Sequence, residues 1–312
     1  MSNNITNFSR CQAEEIPEDI TYKYYKEVHQ ANVVDVVKLS WEPWCAITKI
    51  DANTYYKNKR VKIDGETIIY VDDSEVYEFM PKDNETGEHM RNRRSLRRIF
   101  VTLRQLICTN FVGAQNEQFI TLTYEGDKQT NDPKILHKDF KNFWDRLKRR
   151  YLGRDLSYIS IVEPHASGNW HIHLLVKSND GEPLIMHGNE LYSVWRNGYV
   201  TVEDIKSDNI GAYFIAYFTN MELSSPEDIA KYEGEEDIKE KNGKKYIKGK
   251  RLDFYPDNMM IYRMSDNILR PSVTHGEPLR SELKQTYAST VKMTTAEGHD
   301  LYITTEQHKA DK

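Results

Sequence analysis

The central half of the chain alternates between two hydrophobic periods, one typical of strands and one typical of helices. Apolar residues recur at helical spacing from Arg91 to Phe111 and again in LHKDFKNFWDRLKRRY, which begins at Leu136. Strand-like runs are QFITLTY, LSYISIVE, WHIHLLVK and GYVTVEDI, with helical segments GNELYSVWRN and NIGAYFIAYFTNM after the third and fourth. The order βαββαβ plus one further helix predicts a ferredoxin-like split βαβ unit. We expect an α+β fold with a central antiparallel sheet, helices on one face and the other face open.

The regions on either side of this unit have strand patterns. Near the N-terminus these are VVDVVKL, CAITKI and RVKIDGETIIYV, where Asp-Gly between β-branched runs predicts a hairpin. The tail VKMTTAEGHDLYITTEQ predicts a second hairpin. The sequence therefore predicts three parts: a β-rich N-terminal region over 1–85, a central domain over 90–271 and a C-terminal β-hairpin extension over 272–312.

Composition excludes several classes of protein. Hydrophobic residues make up 38% of the chain and charged residues 29%, as in a globular protein, and no apolar run is long enough to span a bilayer. The N-terminal sequence lacks the basic-then-apolar order of a secretory signal. The three cysteines, Cys11, Cys45 and Cys108, have no CxxC spacing, which argues against disulfides and zinc knuckles. We expect a cytoplasmic protein with no membrane partner.

Charge is unevenly distributed along a chain whose net charge is -5. Basic residues concentrate in RNRRSLRRIFVTLR and HKDFKNFWDRLKRRYLGR, whereas acids concentrate later, in MELSSPEDIAKYEGEEDIKE. A solvated face is one explanation of such runs. Two basic helices flanking one candidate site instead indicate a surface that follows phosphates. The candidate DNA-binding residues are Arg97, Arg98, Lys141, Lys148, Arg149 and Lys206.

Two histidines in WHIHLLVK are the main candidates for metal chemistry. Alternate strand residues share a face, so His171 and His173 point the same way while Ile172 points into the core. Glu163, on the preceding strand, would lie opposite His171. Two imidazole nitrogens and a carboxylate, with positions left open, are typical of a catalytic metal site that suits Mn²⁺ or Mg²⁺, with zinc as a third candidate. Two alternatives stay open: ordinary hydrogen-bonded strand histidines, and His165 as a second-choice ligand.

Two tyrosines in GAYFIAYFTN are the candidate nucleophiles. Tyr213 and Tyr217 are four residues apart, so they lie on one face of a helix. Tyrosine is a weak nucleophile at its unperturbed pKa of about 10, and attack on a phosphodiester needs a metal that polarises the phosphate. Core packing is the alternative role for this aromatic helix.

Four segments, taken in order, resemble the motifs of a known family. They are FITLTYEG, WHIHLLV, VWRNGYVTVEDI with IGAYFIAYFTN, and KGKRLDFYPDNMMIYRMSDNILRP. Over about 95–271 the chain resembles the replication initiators of rolling-circle plasmids and phages, in the His-hydrophobe-His endonuclease superfamily.

The resemblance implies an enzyme that nicks and rejoins single-stranded origin DNA through a 5′-phosphotyrosine. It implies Glu163, His171 and His173 as metal ligands and Tyr213 and Tyr217 as the motif tyrosines. It also implies that Thr121, Thr123 and Tyr124, in the first motif, are scaffold. The expected partners are single-stranded or hairpin origin DNA and a host DNA polymerase, in the cytoplasm of a bacterium that carries the plasmid or phage.

Two absences qualify the resemblance. Ala216 stands where the family's Tyr-x-x-Lys-Tyr pattern has lysine, which puts the rate, or the use of both tyrosines, in question. Lys206 is a candidate substitute for that cation. The sequence also lacks GxxxxGK[ST], so unwinding is expected from a host helicase.

Other functions with the same motifs stay open. A relaxase or a single-strand transposase would use the same chemistry, although tyrosines placed after the histidines favour an initiator. A DNA-binding module with a decayed site is the non-enzymatic alternative, and Ala216 keeps it open.

Overall fold

The computed structural model describes fifteen segments of the chain. They are residues 7–10, 24–41, 60–63, 67–72, 75–78, 87–164, 170–205, 210–223, 232, 238–241, 243–247, 249–255, 259–275, 283–294 and 300–310. The predicted strand CAITKI lies outside them. The chain divides into two compact units, residues 1–91 with 270–312 and residues 92–269.

The described part of the chain contains four α-helices and seventeen β-strands. The helices are α1 (Gly87–Asn110), α2 (Pro133–Arg150), α3 (Gly188–Trp195) and α4 (Ile210–Thr219). The strands are β1 (Asn7–Arg10), β2 (Tyr24–His29), β3 (Val33–Trp41), β4 (Arg60–Ile63), β5 (Thr67–Asp72), β6 (Glu75–Glu78), β7 (Glu117–Thr123), β8 (Leu156–Pro164), β9 (Trp170–Ser178), β10 (Val200–Asp204), β11 (Met221–Glu222), β12 (Ile238–Lys241), β13 (Lys244–Ile247), β14 (Tyr262–Met264), β15 (Ser272–His275), β16 (Gln285–Thr294) and β17 (Asp300–Lys309). Short 3-10 helices cover Gly126–Lys128 and Lys250–Phe254. No helix in the described part of the chain is long and apolar enough to cross a membrane.

The first unit is built from β-strands. A six-stranded sheet has the order β1-β16-β17-β3-β2-β15, and a three-stranded sheet has the order β4-β5-β6. β16 pairs antiparallel with β17, and β17 pairs antiparallel with β3, so strands from both ends of the chain share one sheet. Strands of the N-terminal region and of the C-terminal extension, which the sequence pattern predicts as separate parts, therefore form a common sheet.

The second unit contains the predicted split βαβ arrangement. Its five-stranded sheet has the order β10-β7-β9-β8-β14, with antiparallel neighbours. β9 lies between β7 and β8, which are the two strands that α2 connects. A third sheet, of order β11-β13-β12, follows α4. The α+β class and the central antiparallel sheet are confirmed.

One face of the central sheet packs against α2 and α3. Ile120, Leu122, Ile172 and Leu174 meet the apolar side of α2, and Trp195 of α3 completes the cluster. Burying aliphatic side chains of this size stabilises a fold by roughly 1.5–3 kcal/mol each. α2 begins where the sequence signals a helix start: the Asp132 carboxylate accepts a hydrogen bond of 2.8 Å from the backbone N–H of Lys134, and Pro133 occupies the first turn.

Helices also cover the opposite face, which corrects the expectation that it is open. Phe119, Ile159, Ile161 and Leu175 point to this face and form a second core with α1 and α4. The βαββαβ pattern predicts positions only for the two helices that connect its strands, which are α2 between β7 and β8 and α3 between β9 and β10. α1 and α4 carry apolar stripes of their own, and the second sheet face is where those stripes are buried. The site therefore lies against a helix rather than on an open floor.

Candidate metal centre and tyrosine helix

The pairing of three strands brings the predicted ligands together. Glu163 on β8 lies directly across from His171 on β9, and Thr121 on β7 lies across from His173. Because side chains alternate along a strand, Ile172 points to the opposite face, where it joins the first core. The face that carries both imidazoles is the one covered by α1 and α4.

The ligand atoms of the cluster are close enough to share one ion. One nitrogen from each of His171 and His173 and one carboxylate oxygen of Glu163 all lie within 4.8 Å of one another. Glu163 and His173 are buried, and His171 is partly exposed. Of the three residues, His171 is therefore the one through which solvent meets the cluster.

The ring of His173 is fixed by contacts at both of its nitrogens. Its Nδ1 is 3.0 Å from Thr121 Oγ1, and its Nε2 points at Glu163 Oε2, with which it is hydrogen-bonded. The ring stacks on Phe119 with 3° between the planes. Burial lowers the pKa of His173 to about 3, so the imidazole is neutral at physiological pH. A cation bound at Nε2 would replace the proton that Nε2 shares with Glu163, and Nδ1 would then donate its own hydrogen to Thr121 Oγ1.

The donor set fits a hard or borderline divalent cation. Two neutral imidazoles and one carboxylate leave coordination positions for water or a phosphate oxygen, and no thiolate is among the ligands. In metal sites a ligating histidine usually has a hydrogen-bond partner on its other ring nitrogen, and Thr121 would be that partner if His173 bound a cation through Nε2. The same donors suit Mn²⁺, Mg²⁺ and zinc.

α4 turns its two tyrosines away from the core. Phe214 and Phe218 are buried, whereas Tyr213 and Tyr217 are 54% and 43% exposed. The Tyr217 ring lies edge to face with that of His173, with centroids 5.4 Å apart. Tyr213 lies one turn earlier, with its ring centroid 6.5 Å from that of Tyr217. Tyr217 is thus in contact with one residue of the cluster.

The surroundings of Tyr217 oppose ionisation of its phenol. Burial is the main cause that raises its pKa, and Tyr213, Glu203 and Glu222 raise it further. A phenol in this environment needs a nearby positive charge before it can act as a nucleophile at neutral pH.

Sequence reasoning missed two residues at the cluster. The resemblance implies a scaffold role for Thr121, whereas the pairing of β7 with β9 places Thr121 on the same face as His173, beside its imidazole. Arg251, in the 3-10 helix Lys250–Phe254, forms an ion pair with Glu163 Oε1. No local pattern in KGKRLDF distinguishes Arg251 from its basic neighbours, because the contact joins residues far apart in the chain.

The three candidate DNA-binding residues whose side chains the structure describes lie away from the cluster. Lys141, Lys148 and Arg149 lie on α2, which packs on the sheet face opposite the histidines. Lys141 and Lys148 both pair with Asp145, at 2.8 and 3.5 Å, on the exposed side of that helix. Arg97 and Arg98 lie within α1, but their side chains are outside the described structure, as are Lys206 and His165.

One comparison with known proteins finds a relationship. Residues 117–222 match the family described as Replication-associated protein ORF2, a segment that runs from β7 to the end of β11 and includes Glu163, both histidines and both tyrosines. The match confirms the resemblance to rolling-circle replication initiators. Neither a curated protein nor a solved structure matches the chain.

Proposed function

We propose that this chain, which matches the replication-associated proteins of the ORF2 family over residues 117–222, nicks and rejoins single-stranded DNA at a replication origin. Tyr217 is the proposed nucleophile, and Glu163, His171 and His173 are the proposed metal ligands. The observation that carries the proposal is the contact between the Tyr217 ring and His173, with centroids 5.4 Å apart on one face of the sheet.

The proposed reaction is a transesterification. Tyr217 Oη attacks the scissile phosphorus, a bond from phosphorus to the phenolic oxygen forms, and the bond to the 3′-oxygen of the preceding nucleotide breaks. The phenol loses its proton and the 3′-oxygen gains one, so the products are a 5′-phosphotyrosine and a free 3′-hydroxyl. One phosphodiester replaces another, which keeps the energy needed to rejoin the strand.

The residues of the site have separate tasks in this reaction. A divalent cation bound at the cluster would polarise a non-bridging phosphate oxygen. Thr121 holds the His173 ring so that Nε2 points into the cluster. The buried Phe218 packs against the ring of His173, with centroids 5.1 Å apart, and fixes α4 beside the ligands.

The proposed partner is single-stranded or hairpin origin DNA, with unwinding by a host helicase and extension of the 3′-hydroxyl by a host polymerase. Lys141, Lys148 and Arg149 are on the sheet face away from the cluster. We assign them to DNA that continues beyond the nicked phosphate, where exposed cations add affinity without sequence readout.

The decisive experiment works without a known origin sequence. The protein is incubated with a random pool of single-stranded DNA and Mn²⁺, and DNA that remains attached after denaturation is sequenced. We expect covalent adducts enriched in one sequence, which EDTA prevents and a Tyr213→Phe/Tyr217→Phe double variant does not form.

Two results would contradict the proposal. Adducts in the double variant would exclude these tyrosines as nucleophiles. A wild-type protein that binds the pool but forms no adduct would instead support a DNA-binding module without nicking activity.

A further inference from the structure

An arginine outside the family match lies beside the proposed metal ligands. Arg251 belongs to the 3-10 helix Lys250–Phe254, which follows residues 117–222 in the chain. Its side chain is only 14% exposed, and its guanidinium pairs with Glu163, whose side chain is 4% exposed. Because both side chains are buried, the surrounding fold fixes the guanidinium of Arg251 beside the proposed ligand cluster.

α4, which carries the two tyrosines, and this 3-10 helix are joined by a hydrogen bond and by packing in a common core. Gly249, which caps the 3-10 helix, donates its backbone N–H to Asn220 Oδ1 at 3.0 Å, directly after the end of α4. Leu252 is buried in the same core as Phe214 and Phe218 of α4. Arg251 therefore keeps a fixed position relative to the tyrosines.

The two oxygens of Glu163 face different partners. Oε2 is hydrogen-bonded to His173 Nε2, on the side of the cluster, and Oε1 pairs with Arg251. A carboxylate can bind a metal through one oxygen and a guanidinium through the other. The carboxylate of Glu163 therefore lies between Arg251 and the position that a metal ion would take. Arg251 is not itself a ligand.

The tyrosine helix lacks a cation of its own at this point. Ala216 is exposed and lies on the same side of α4 as Tyr213 and Tyr217, at the position where the family pattern has lysine. Negative charge builds on the non-bridging oxygens as the phosphate is attacked, and a fixed positive group there is a large source of rate enhancement.

We propose that Arg251 supplies the positive charge that Ala216 cannot, by donating a hydrogen bond to a non-bridging oxygen of the scissile phosphate. This inference rests on the proposed nicking function. Guanidinium has five N–H donors in a rigid fork, so Arg251 can keep its bond to Glu163 Oε1 and still bind phosphate. Burial lowers the pKa of Arg251, but a guanidinium stays protonated in proteins because its unperturbed pKa exceeds 12.

The test compares three variants in one assay at saturating Mn²⁺. Arg251→Gln keeps an N–H donor on a shorter side chain but loses the charge, and we expect it to slow covalent adduct formation about 100-fold. Adding Ala216→Lys to Arg251→Gln should restore the rate by about tenfold or more, because it returns a cation to the same side of α4. Arg263→Gln, an exposed arginine on β14, is the matched control and should react like the wild type.

Two binding measurements separate a phosphate contact from support of Glu163. The Mn²⁺ affinity of each variant is measured by electron paramagnetic resonance, without DNA. Single-stranded DNA binding in EDTA is measured over a range of salt concentrations. Loss of one phosphate contact in Arg251→Gln should lower the slope of log K against log salt by about 0.7 while Mn²⁺ affinity stays unchanged.

Several outcomes would overturn the inference. The first is an unaltered rate of adduct formation in Arg251→Gln. The second is a slower rate in Arg251→Gln that recovers as the Mn²⁺ concentration is raised and that accompanies weaker Mn²⁺ binding. The third is a variant with both Arg251→Gln and Ala216→Lys that reacts no faster than Arg251→Gln alone. The wild type serves as the internal reference. Absence of adduct in the wild type refutes the nicking function, whereas equal adduct in wild type and Arg251→Gln refutes only the role of Arg251.

Discussion

The imidazole of His173 and the phenol ring of Tyr217 lie edge to face, with centroids 5.4 Å apart. They come from a central strand and from a helix that packs on the sheet face away from α2. The same imidazole has its Nε2 directed at Glu163 and its Nδ1 at Thr121. In the proposed reaction, the phenol that contacts the proposed ligand His173 lies next to the phosphate that the metal would bind, so we expect unequal roles for the two tyrosines.

Tyr217→Phe is expected to abolish covalent adduct formation, because it removes the hydroxyl of the ring that contacts His173. Tyr213→Phe should slow the first cleavage by less than about tenfold, or 1.4 kcal/mol in the barrier, because Tyr213 lies a helical turn away. Single-turnover reactions with a labelled oligonucleotide distinguish the two. Equal loss in both variants would contradict the assignment of Tyr217 as the first nucleophile.

Much of the fold could be predicted because amphipathic periods are local. The predicted strand QFITLTY is β7, the predicted strand WHIHLLVK is β9, and the predicted helix beginning near Leu136 is α2. Each is identified by neighbours within the same element. Local periodicity does not predict which elements cover the second sheet face, because the packing of α1 and α4 on that face is a contact between segments distant in the chain.

Gly198→Ala is expected to destabilise the second unit, because a side chain there has no room. Gly198 has a φ of 154°, and a Cβ would lie 2.7 Å from the backbone nitrogen of Glu125 and 2.9 Å from the carbonyl carbon of Tyr124. Backbone atoms cannot move aside as side chains do, so we expect a loss of about 1–3 kcal/mol in the free energy of unfolding. The measurement is denaturant unfolding.

Gly126→Ala is the control for that substitution. Gly126 also has a positive φ, of 52°, but no atom lies within 4 Å of a Cβ built there. A smaller loss than in Gly198→Ala is expected, since only backbone strain is added. Equal losses in the two variants would mean that the close approach of Gly198 to the strand end is unimportant.

The ligand cluster was predictable for a different reason than its surroundings. Strand alternation and a short hairpin put Glu163, His171 and His173 on one face, and the register of β8 and β9 agrees with that expectation. The contact of Arg251 with Glu163 joins two segments 88 positions apart in the chain, by the difference of their residue numbers. Hydrophobic periodicity carries no information about such a pair.

Thr121→Val is expected to weaken metal binding about 10- to 100-fold. The substitution keeps the shape of the side chain and removes the Oγ1 that lies 3.0 Å from His173 Nδ1, so the ring loses the partner that fixes its orientation. Mn²⁺ affinity is measured by electron paramagnetic resonance or by thermal stabilisation, which rises with ligand saturation.

Thr201→Val is the matched control for the threonine prediction. Thr201 lies directly across from Thr121 on β10 and is exposed. The substitution removes the same hydroxyl type from the next strand, and Mn²⁺ affinity should be unchanged. A similar loss in both variants would indicate a general effect on the sheet instead of an effect on His173.

Glu203→Gln should shift the pH dependence of adduct formation towards lower pH. The Glu203 carboxylate is one of the groups that raise the pKa of Tyr217, after burial and Tyr213. Removing its negative charge makes the phenolate less costly, so the pKa falls and the rising limb of the pH–rate profile moves down in pH. Asp204→Asn removes the same charge from the adjacent position, whose carboxylate accepts from Gln118 at 3.2 Å, and should leave the profile in place. A shift to higher pH in Glu203→Gln, or an equal shift in both variants, would contradict an electrostatic effect of Glu203 on Tyr217.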